Sequence, residues 1–426
     1  MKKRTGKRTG FWSAIERCRN RINEQAFKES ARKCQQYFTR NRKMPFVQLV
    51  AFMLNRAKNT IQTRLDAFFE GLGQEDTHMT QQAFSAARDK IKWEAFLDLF
   101  RMIVDHIYEG YYETWHGYRL SAIDGSKTQL PDDQTLRDHF GTVGRGGTAA
   151  TGQASALYDV LNNTLIDAQL GPIKTDEREL ALRHLNALHG LPSFSKECVI
   201  FDRGYASFEL VKATKGLGIH FVMRVRTKFN VAIDQLKEGD HRITLKKKGC
   251  EDIPVRVIKF ALPSGEQEAL ITDITDKRMG IAAFKWLYFK RWPIETKYDE
   301  IKNKLEVENF SGRTVNAIMQ DFFISMYMSN VIAIARWEAQ LDVDGERELK
   351  GNKYSYHVNA NHAIGTFKDR FILALLEPNN RLRKKRVTRI LYLLKGNAVP
   401  TRPDRSIPRN PSPRKAKFRH NRKSNC

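Results

Sequence analysis

The sequence predicts an α/β protein, a mixed sheet interrupted by an antiparallel β-rich insertion, with helical regions before and after it. Three observations carry this. From Pro45 to Tyr118 apolar residues recur at helical spacing (Phe46, Leu49, Val50, Met53, Leu54; Ile61, Leu65, Phe68, Phe69; Phe96, Leu97, Phe100, Val104, Ile107). At Tyr118 the pattern changes to short extended runs, 119–123, 154–161, 164–170, 199–201 and 219–225, with helical runs at 176–188 and 208–215. Between 229 and 274, alternating stretches at 241–245, 255–259 and 268–272 are separated by Gly239, Gly249 and Gly265, which is the pattern of a small antiparallel unit.

The expected division is a basic N-terminal arm over 1–43, a helical segment over 44–117, and the α/β domain over 118–340 with its insertion at about 228–276. A helical C-terminal region over 341–396 and a basic tail over 397–426 complete it. Within the helical segment, Thr80 is placed to N-cap a helix over 81–91 after one that ends near Gly71 or Gly73. That is compatible with a helix-turn-helix or with two helices that merely pack. Long helices are expected at 281–306, 315–339 and 362–376. From Asn397 onward, Pro, Arg, Asn and Ser dominate, so this stretch is expected to stay disordered until it meets a polyanion. The tract Gly141-Thr-Val-Gly-Arg-Gly-Gly147 reads as a loop and lacks the Gly-Lys-Ser/Thr of a phosphate-binding loop, which argues against a nucleotide cofactor.

The 73 Lys and Arg against 48 Asp and Glu give a net charge of +25, and its placement is informative. Residues 1–43 hold 14 basic and 3 acidic side chains, and residues 381–426 hold 16 and 1, whereas 44–380 is balanced at 43 and 44. Both ends therefore attract polyanions, and nonspecific phosphate contact by counterion release suits them. The five cysteines are scattered, without a CxxC pair, which fits neither a disulfide framework nor a thiolate zinc site and points to a reducing cytosol. No run of about 20 apolar residues stands out as a membrane span, and MKKRTGKRTGFW lacks the apolar core of a signal peptide.

Three carboxylates sit where an element would present them. Asp124 is expected to end a strand before Gly125, and Asp202 another before Arg203-Gly204. Functional groups gather at the carboxyl ends of strands in such sheets, although strand-end aspartates also serve simply as turn formers. The third is Glu295, in Tyr288-Phe-Lys-Arg-Trp-Pro-Ile-Glu-Thr-Lys-Tyr-Asp-Glu-Ile-Lys302. At about 100° per residue, Tyr288, Arg291, Glu295 and Lys302 project within about 60° of one another. This stripe is either functional or a solvated face with an Arg-Glu pair. Pro293 lacks an N–H, so a kink or a fresh helix start is expected there.

Together these residues resemble the DDE transposases of bacterial insertion sequences, specifically the hairpin-forming cut-and-paste subgroup with the Y-x2-R-x3-E-x6-K signature. Tyr288, Arg291, Glu295 and Lys302 match that signature without a gap, and Asp124 and Asp202, 78 residues apart, match the two aspartates of the family. The interval of 93 residues from Asp202 to Glu295 is where this subgroup carries its β-rich insertion. The resemblance covers roughly residues 45–340.

It implies a ribonuclease-H-like core in which Asp124, Asp202 and Glu295 hold two Mg²⁺ ions, with Mn²⁺ as a substitute, for DNA strand cleavage and transfer. Tyr288, Arg291 and Lys302 would hold phosphates at the transposon end, and Trp292 would either stack on a base or pack in the core. Gly312-Arg313 and the Arg224, Arg226, Lys228 group are further DNA-contact candidates, each equally readable as a solvated face. The implied partners are double-stranded transposon-end and target DNA and a second copy of the chain, with no membrane and no nucleotide cofactor. On this resemblance 44–117 becomes a DNA-binding domain and 341–396 a dimerisation region, in a bacterial, nucleoid-associated cytoplasmic protein. Two readings from other classes stay open: a nuclease that cuts without joining, and a noncatalytic DNA-binding descendant. The latter predicts a damaged triad, and this one is intact.

Overall fold

A computed structural model describes residues 9–401, apart from 41, 56–58, 145–146, 148, 192–194, 263–264, 292–293, 295–296, 298–299, 306 and 351–352. The chain divides into two compact units. One comprises 112–128 and 152–299; the other comprises 1–111, 129–151 and 300–426.

The first unit is built on a sheet in which eight strands are ordered β3-β2-β1-β4-β5-β8-β7-β6. These are β1 Tyr118–Gln129, β2 Thr151–Asp159, β3 Thr164–Pro172, β4 Lys196–Phe201, β5 His220–Val225, β6 Gly239–Leu245, β7 Ile253–Ala261 and β8 Gln267–Thr272. β1, β4 and β5 are parallel neighbours, while β2 and β3 form an antiparallel pair. The parallel strands are apolar on both faces, which is why Cys198-Val-Ile-Phe201 reads as a continuous run: all four side chains are buried. The result is a ribonuclease-H-like α/β core. The antiparallel insertion joins it edge to edge, because β8 pairs with β5 and β7 and β6 follow outward. It is thus an extension of the central sheet and has no sheet of its own.

Two expectations need correcting. β1 does not end at Asp124 but continues to Gln129. The strand has a second neighbour in β2 and so need not stop where β4 does. The long helix expected over 281–306 is broken near Pro293, where a kink or a fresh start is expected: a regular helix runs Ile281–Phe289, Arg291 lies in a turn, Ile294 and Lys297 are helical again, and Glu300–Lys304 is a π-helix. Phe289 is four residues before Pro293, the distance at which a proline denies a helix its hydrogen bond; Pro293 itself lies outside the described residues. The Ile281–Phe289 helix is pinned to the start of β1 by a stack of Trp286 on Trp115, with ring centroids 6.0 Å apart.

The second unit is mainly helical. Its centre is the helix Val315–Leu349, which packs on Phe11–Asn23, Phe46–Leu54, Glu94–Glu109, Ala360–Leu376 and Asn380–Gly396. This helix is long and apolar enough to cross a membrane, contrary to the sequence expectation, but 94% of its most apolar 18-residue window is buried in the protein. A helix apolar all round is the mark of a core helix. Several of its buried polar residues are bonded: Arg88 donates to Gln320 and Asp321, and Asp321 accepts from Ser311. Thr80 caps the helix Gln81–Arg88 as expected, accepting from the Ala83 N–H at 3.2 Å. Phe52 stands edge-on to both Phe68 and Phe84, so the helices on either side of Thr80 share one core.

The ends are less free than composition suggests. Phe11, Ile15, Cys18 and Ile22 of the first helix are buried, Arg17 and Arg21 pair with Glu109 and Asp98, and Arg383 pairs with Glu16. Burial pushes the Cys18 thiol up to about 12, so it is inert at neutral pH. Ala398–Pro400, inside the stretch expected to be tail, pairs antiparallel with Tyr356–Val358. Residues 402–426 lie outside the described residues.

Candidate active site

β1 and β4 run in parallel register from Tyr118↔Lys196 to Ala122↔Ile200, so Asp124 and Asp202 each stand two residues beyond the last of these pairs. The pairing places the two aspartates side by side, Asp202 just beyond the carboxyl end of β4, where such sheets present functional groups, and Asp124 within β1 at the level where β4 stops. Asp202 opens a tight turn closed by the Tyr205 N–H donating to its carbonyl at 3.0 Å. Arg178, in the first turn of the helix Glu177–His189, donates to the carbonyls of Gly204 and Ala206 and so fixes the outer side of that turn.

Three side chains frame the aspartates. The Tyr288 hydroxyl, on the last turn of the Ile281–Phe289 helix, donates to Asp202 Oδ1 at 3.3 Å. Arg291, only 8% exposed, acts electrostatically on both Tyr205 and Tyr288. Arg224 on β5 is bound by buried Glu268 on β8 and also bonds Tyr288, which makes it a wall of the site and not an exposed phosphate contact.

Tyr205 and Glu177 belong to the same constellation and were not singled out from the sequence. Tyr205 is 3% exposed, and its hydroxyl has no hydrogen-bond partner among the described residues. Burial, and then the negative charges of Asp124, Glu177 and Asp202, push its phenol well above the usual tyrosine value, against the opposing charge of Arg291. Burial and Asp202 raise Tyr288 as well, against Arg224 and Arg291. Both phenols therefore stay protonated and act as donors. Glu177 accepts from Gln153 Nε2 at 3.2 Å, and a Cβ added to Gly125 would come within 3.0 Å of Glu177 Oε1. Glycine thus keeps the residue after Asp124 clear of that carboxylate. The signal for Tyr205 was its place in Asp202-Arg-Gly-Tyr205; Glu177 reads from sequence only as an acid stabilising a helix start.

Of the residues expected at the site, Asp124, Asp202, Tyr288 and Arg291 are gathered in one unit. Glu295 and Trp292 lie outside the described residues. Lys302 is on the π-helix of the other unit, 3.8 Å from Glu308. Among the described residues no group of three or more His, Cys, Asp or Glu side chains is arranged to hold a metal ion. The helical unit has its own basic cleft of about 1500 Å³, where Lys28, Arg40, Arg42, Lys43 and Lys90 outnumber the single acid Glu24.

A five-stranded 3-2-1-4-5 core with two aspartates side by side on adjacent parallel strands defines the ribonuclease-H-like class. Residues 115–331 match the family described as "Transposase DDE domain", and the chain belongs to that family. It is 24% identical over 216 residues to the transposase InsG of insertion sequence element IS4 from Escherichia coli K12, covering 47% of this chain and 48% of that protein. With the putative transposase InsZ of the same organism it shares 26% over 170 residues, 38% of this chain and 54% of the relative. The chain thus spans about half the length of these curated relatives. The fold is also similar to that of the piggyBac transposase in its synaptic complex with hairpin DNA. That match has a TM-score of 0.50 at 9% identity and covers 90% of this chain and 85% of the other.

Proposed function

We propose that the chain is a cut-and-paste transposase of the Y-x2-R-x3-E-x6-K subgroup, which cuts DNA at the ends of its insertion sequence and joins the freed 3′-OH ends to target DNA. The observation that carries this is the register placing Asp124 beside Asp202, with the Tyr288 hydroxyl on Asp202. The donors fit a hard cation: two carboxylates on neighbouring strands, with the buried Tyr205 hydroxyl beside them, which has no partner among the described residues. Asp124 and Asp202, completed by Glu295, would hold two Mg²⁺ or Mn²⁺ ions. Bound there, the metals supply an activated water and a stabilised leaving oxygen.

The remaining work falls to the chain itself. Tyr288 and Tyr205, held protonated, donate to phosphate oxygens, and Arg291 offers a planar fork to the scissile strand. Lys302 contributes a point charge to the transposon end and Trp292 a stacking surface. The helical segment 44–117 serves end recognition, and the basic cleft, whose cations come mostly from the preceding arm, supports a phosphate contact beside it. The region 341–396 serves pairing of two copies on DNA, in a bacterial cytoplasm.

The test is to incubate the protein and Mg²⁺ with labelled DNA spanning the boundary of its own element and to resolve nicked, hairpin and double-strand-cut ends. Hairpin ends and joined products are expected. Nicks alone, with neither hairpin nor joining, would leave only a nuclease.

A further inference from the structure

The sheet beside Asp124 is polar where a core would be apolar. Ser155 on β2 is in register with Gln169 on β3, and Leu157 with Asp167, so Ser155, Gln169 and Asp167 project from one face. That face meets His184, on the same helix as Glu177 and two turns further along. His184 is fully buried and bonded on both sides: Nδ1 lies 2.7 Å from Asp167 Oδ2, and Nε2 lies 2.9 Å from Ser155 Oγ. Ser155 Oγ in turn donates to the carbonyl oxygen of Asp124 at 3.3 Å. A continuous chain of hydrogen bonds thus runs from Asp167 to the main chain of Asp124. The order Ser-His-Asp is that of a hydrolytic triad, but Ser155 is only 1% exposed, and a nucleophile must be reached by its substrate.

We propose that Asp167, His184 and Ser155 are positioning residues that hold Asp124 in place for chemistry through its main chain. The proposal rests on the reading of Asp124 as a site carboxylate.

The direction of each hydrogen bond follows from the acceptors. A carbonyl can only accept, so the single hydroxyl proton of Ser155 goes to Asp124, and the Ser155 lone pair takes a hydrogen from Nε2. Nδ1 faces the carboxylate of Asp167, so the ring is held between Asp167 and Ser155. Burial alone would push the Asp167 carboxyl up, but the hydrogen bond and charge of His184 hold it below its ordinary value, and Gln169 Nε2 donates to it at 3.1 Å. Replacing Asp167 by the isosteric Asn removes the counter-charge. The ring then loses the carboxylate that orients Nε2 toward Ser155, and the hold of Ser155 on the Asp124 carbonyl loosens.

The test uses the full-length protein, Mn²⁺ titrations followed by electron paramagnetic resonance, and ¹⁵N spectra of labelled histidine. Ser155→Ala and Asp167→Asn should each weaken Mn²⁺ binding by about tenfold, the usual effect of losing a group that orients a metal ligand. The double variant should be no weaker than Ser155→Ala alone, and Ser155→Thr, which keeps the hydroxyl, should restore affinity. The His184 ¹⁵N resonances should shift in Asp167→Asn, because the ring loses the carboxylate on Nδ1. Should Ser155→Ala fail to fold, Asp167→Asn and its spectrum decide alone. Wild-type Mn²⁺ affinity in Asp167→Asn, effects that multiply in the double variant, or unchanged His184 resonances in Asp167→Asn would overturn the relay. Asp124→Asn separates the two readings: loss of Mn²⁺ binding there with normal binding in Asp167→Asn sinks the relay alone, whereas normal binding in Asp124→Asn removes the site and the relay with it.

Discussion

Tyr205 carries a buried hydroxyl that no described group of the protein satisfies, and an unmade hydrogen bond of this kind costs about 1–3 kcal/mol. Tyr205→Phe removes that cost without opening a cavity, so the DNA-free variant should be more stable by about 1 kcal/mol in urea titrations while its single-turnover cleavage falls. A less stable variant would mean that the hydroxyl has a protein partner. At Arg291 the expectation concerns shape: Arg291→Lys keeps the charge but loses the planar fork, and cleavage should drop about tenfold or more if the fork grips a phosphate. Unchanged rates would reduce Arg291 to a buried structural cation. Asp167 has a pH signature. Its carboxyl is depressed in the folded protein, so its contribution is complete above the ordinary value of 3.8 and is lost only as pH falls through the lower, folded value. The stability gap between wild type and Asp167→Asn should hold steady from pH 5 to 7 and shrink below about pH 4; thermal melts across that range check it.

At the scale of elements, the Ile281–Phe289 helix delivers Tyr288 to Asp202, and the Trp115–Trp286 stack holds that helix. Trp286→Ala should cost about 1 kcal/mol of stability and reduce cleavage by more than the unfolded fraction explains, because Tyr288 loses its anchor. A loss of activity that tracks unfolding alone would show that the helix keeps its place without the stack. The strands were legible wherever burial dictates composition: Val199-Ile-Phe201 and Phe221-Val-Met223 can be little else than central parallel strands. The end of β1 was not, because Gly125 and Ser126 have turn chemistry while pairing decides where a strand stops. Nor was the attachment of the insertion, since alternation identifies a strand without naming its neighbour. In the signature segment, Tyr288, Arg291 and Lys302 were legible as residues and Pro293 marked a break, but a uniform 100° step could not foresee the turn at Arg291 or the π-helix at Glu300–Lys304. Ser155 and His184 were invisible because a buried polar relay has no sequence period.

For the whole molecule, part of the charge of the basic ends is committed to structure. Arg17, Arg21 and Arg383 are committed to ion pairs, whereas residues 402–426 hold 9 basic and 1 acidic side chain and little apolar content. Truncation after Thr401 should therefore weaken binding to any duplex and flatten its dependence on salt, with little change in melting temperature; an unchanged slope would show that the tail does not contact phosphates. The most direct measurement of the central claim compares Asp124→Asn, Asp202→Asn and Glu295→Gln on a labelled transposon-end duplex, with binding followed by gel shift and cutting followed in Mg²⁺. If the three carboxylates act as one site, each variant binds the duplex as the wild type does and cuts it at background rate. Near-normal cutting by any one of them would contradict that claim.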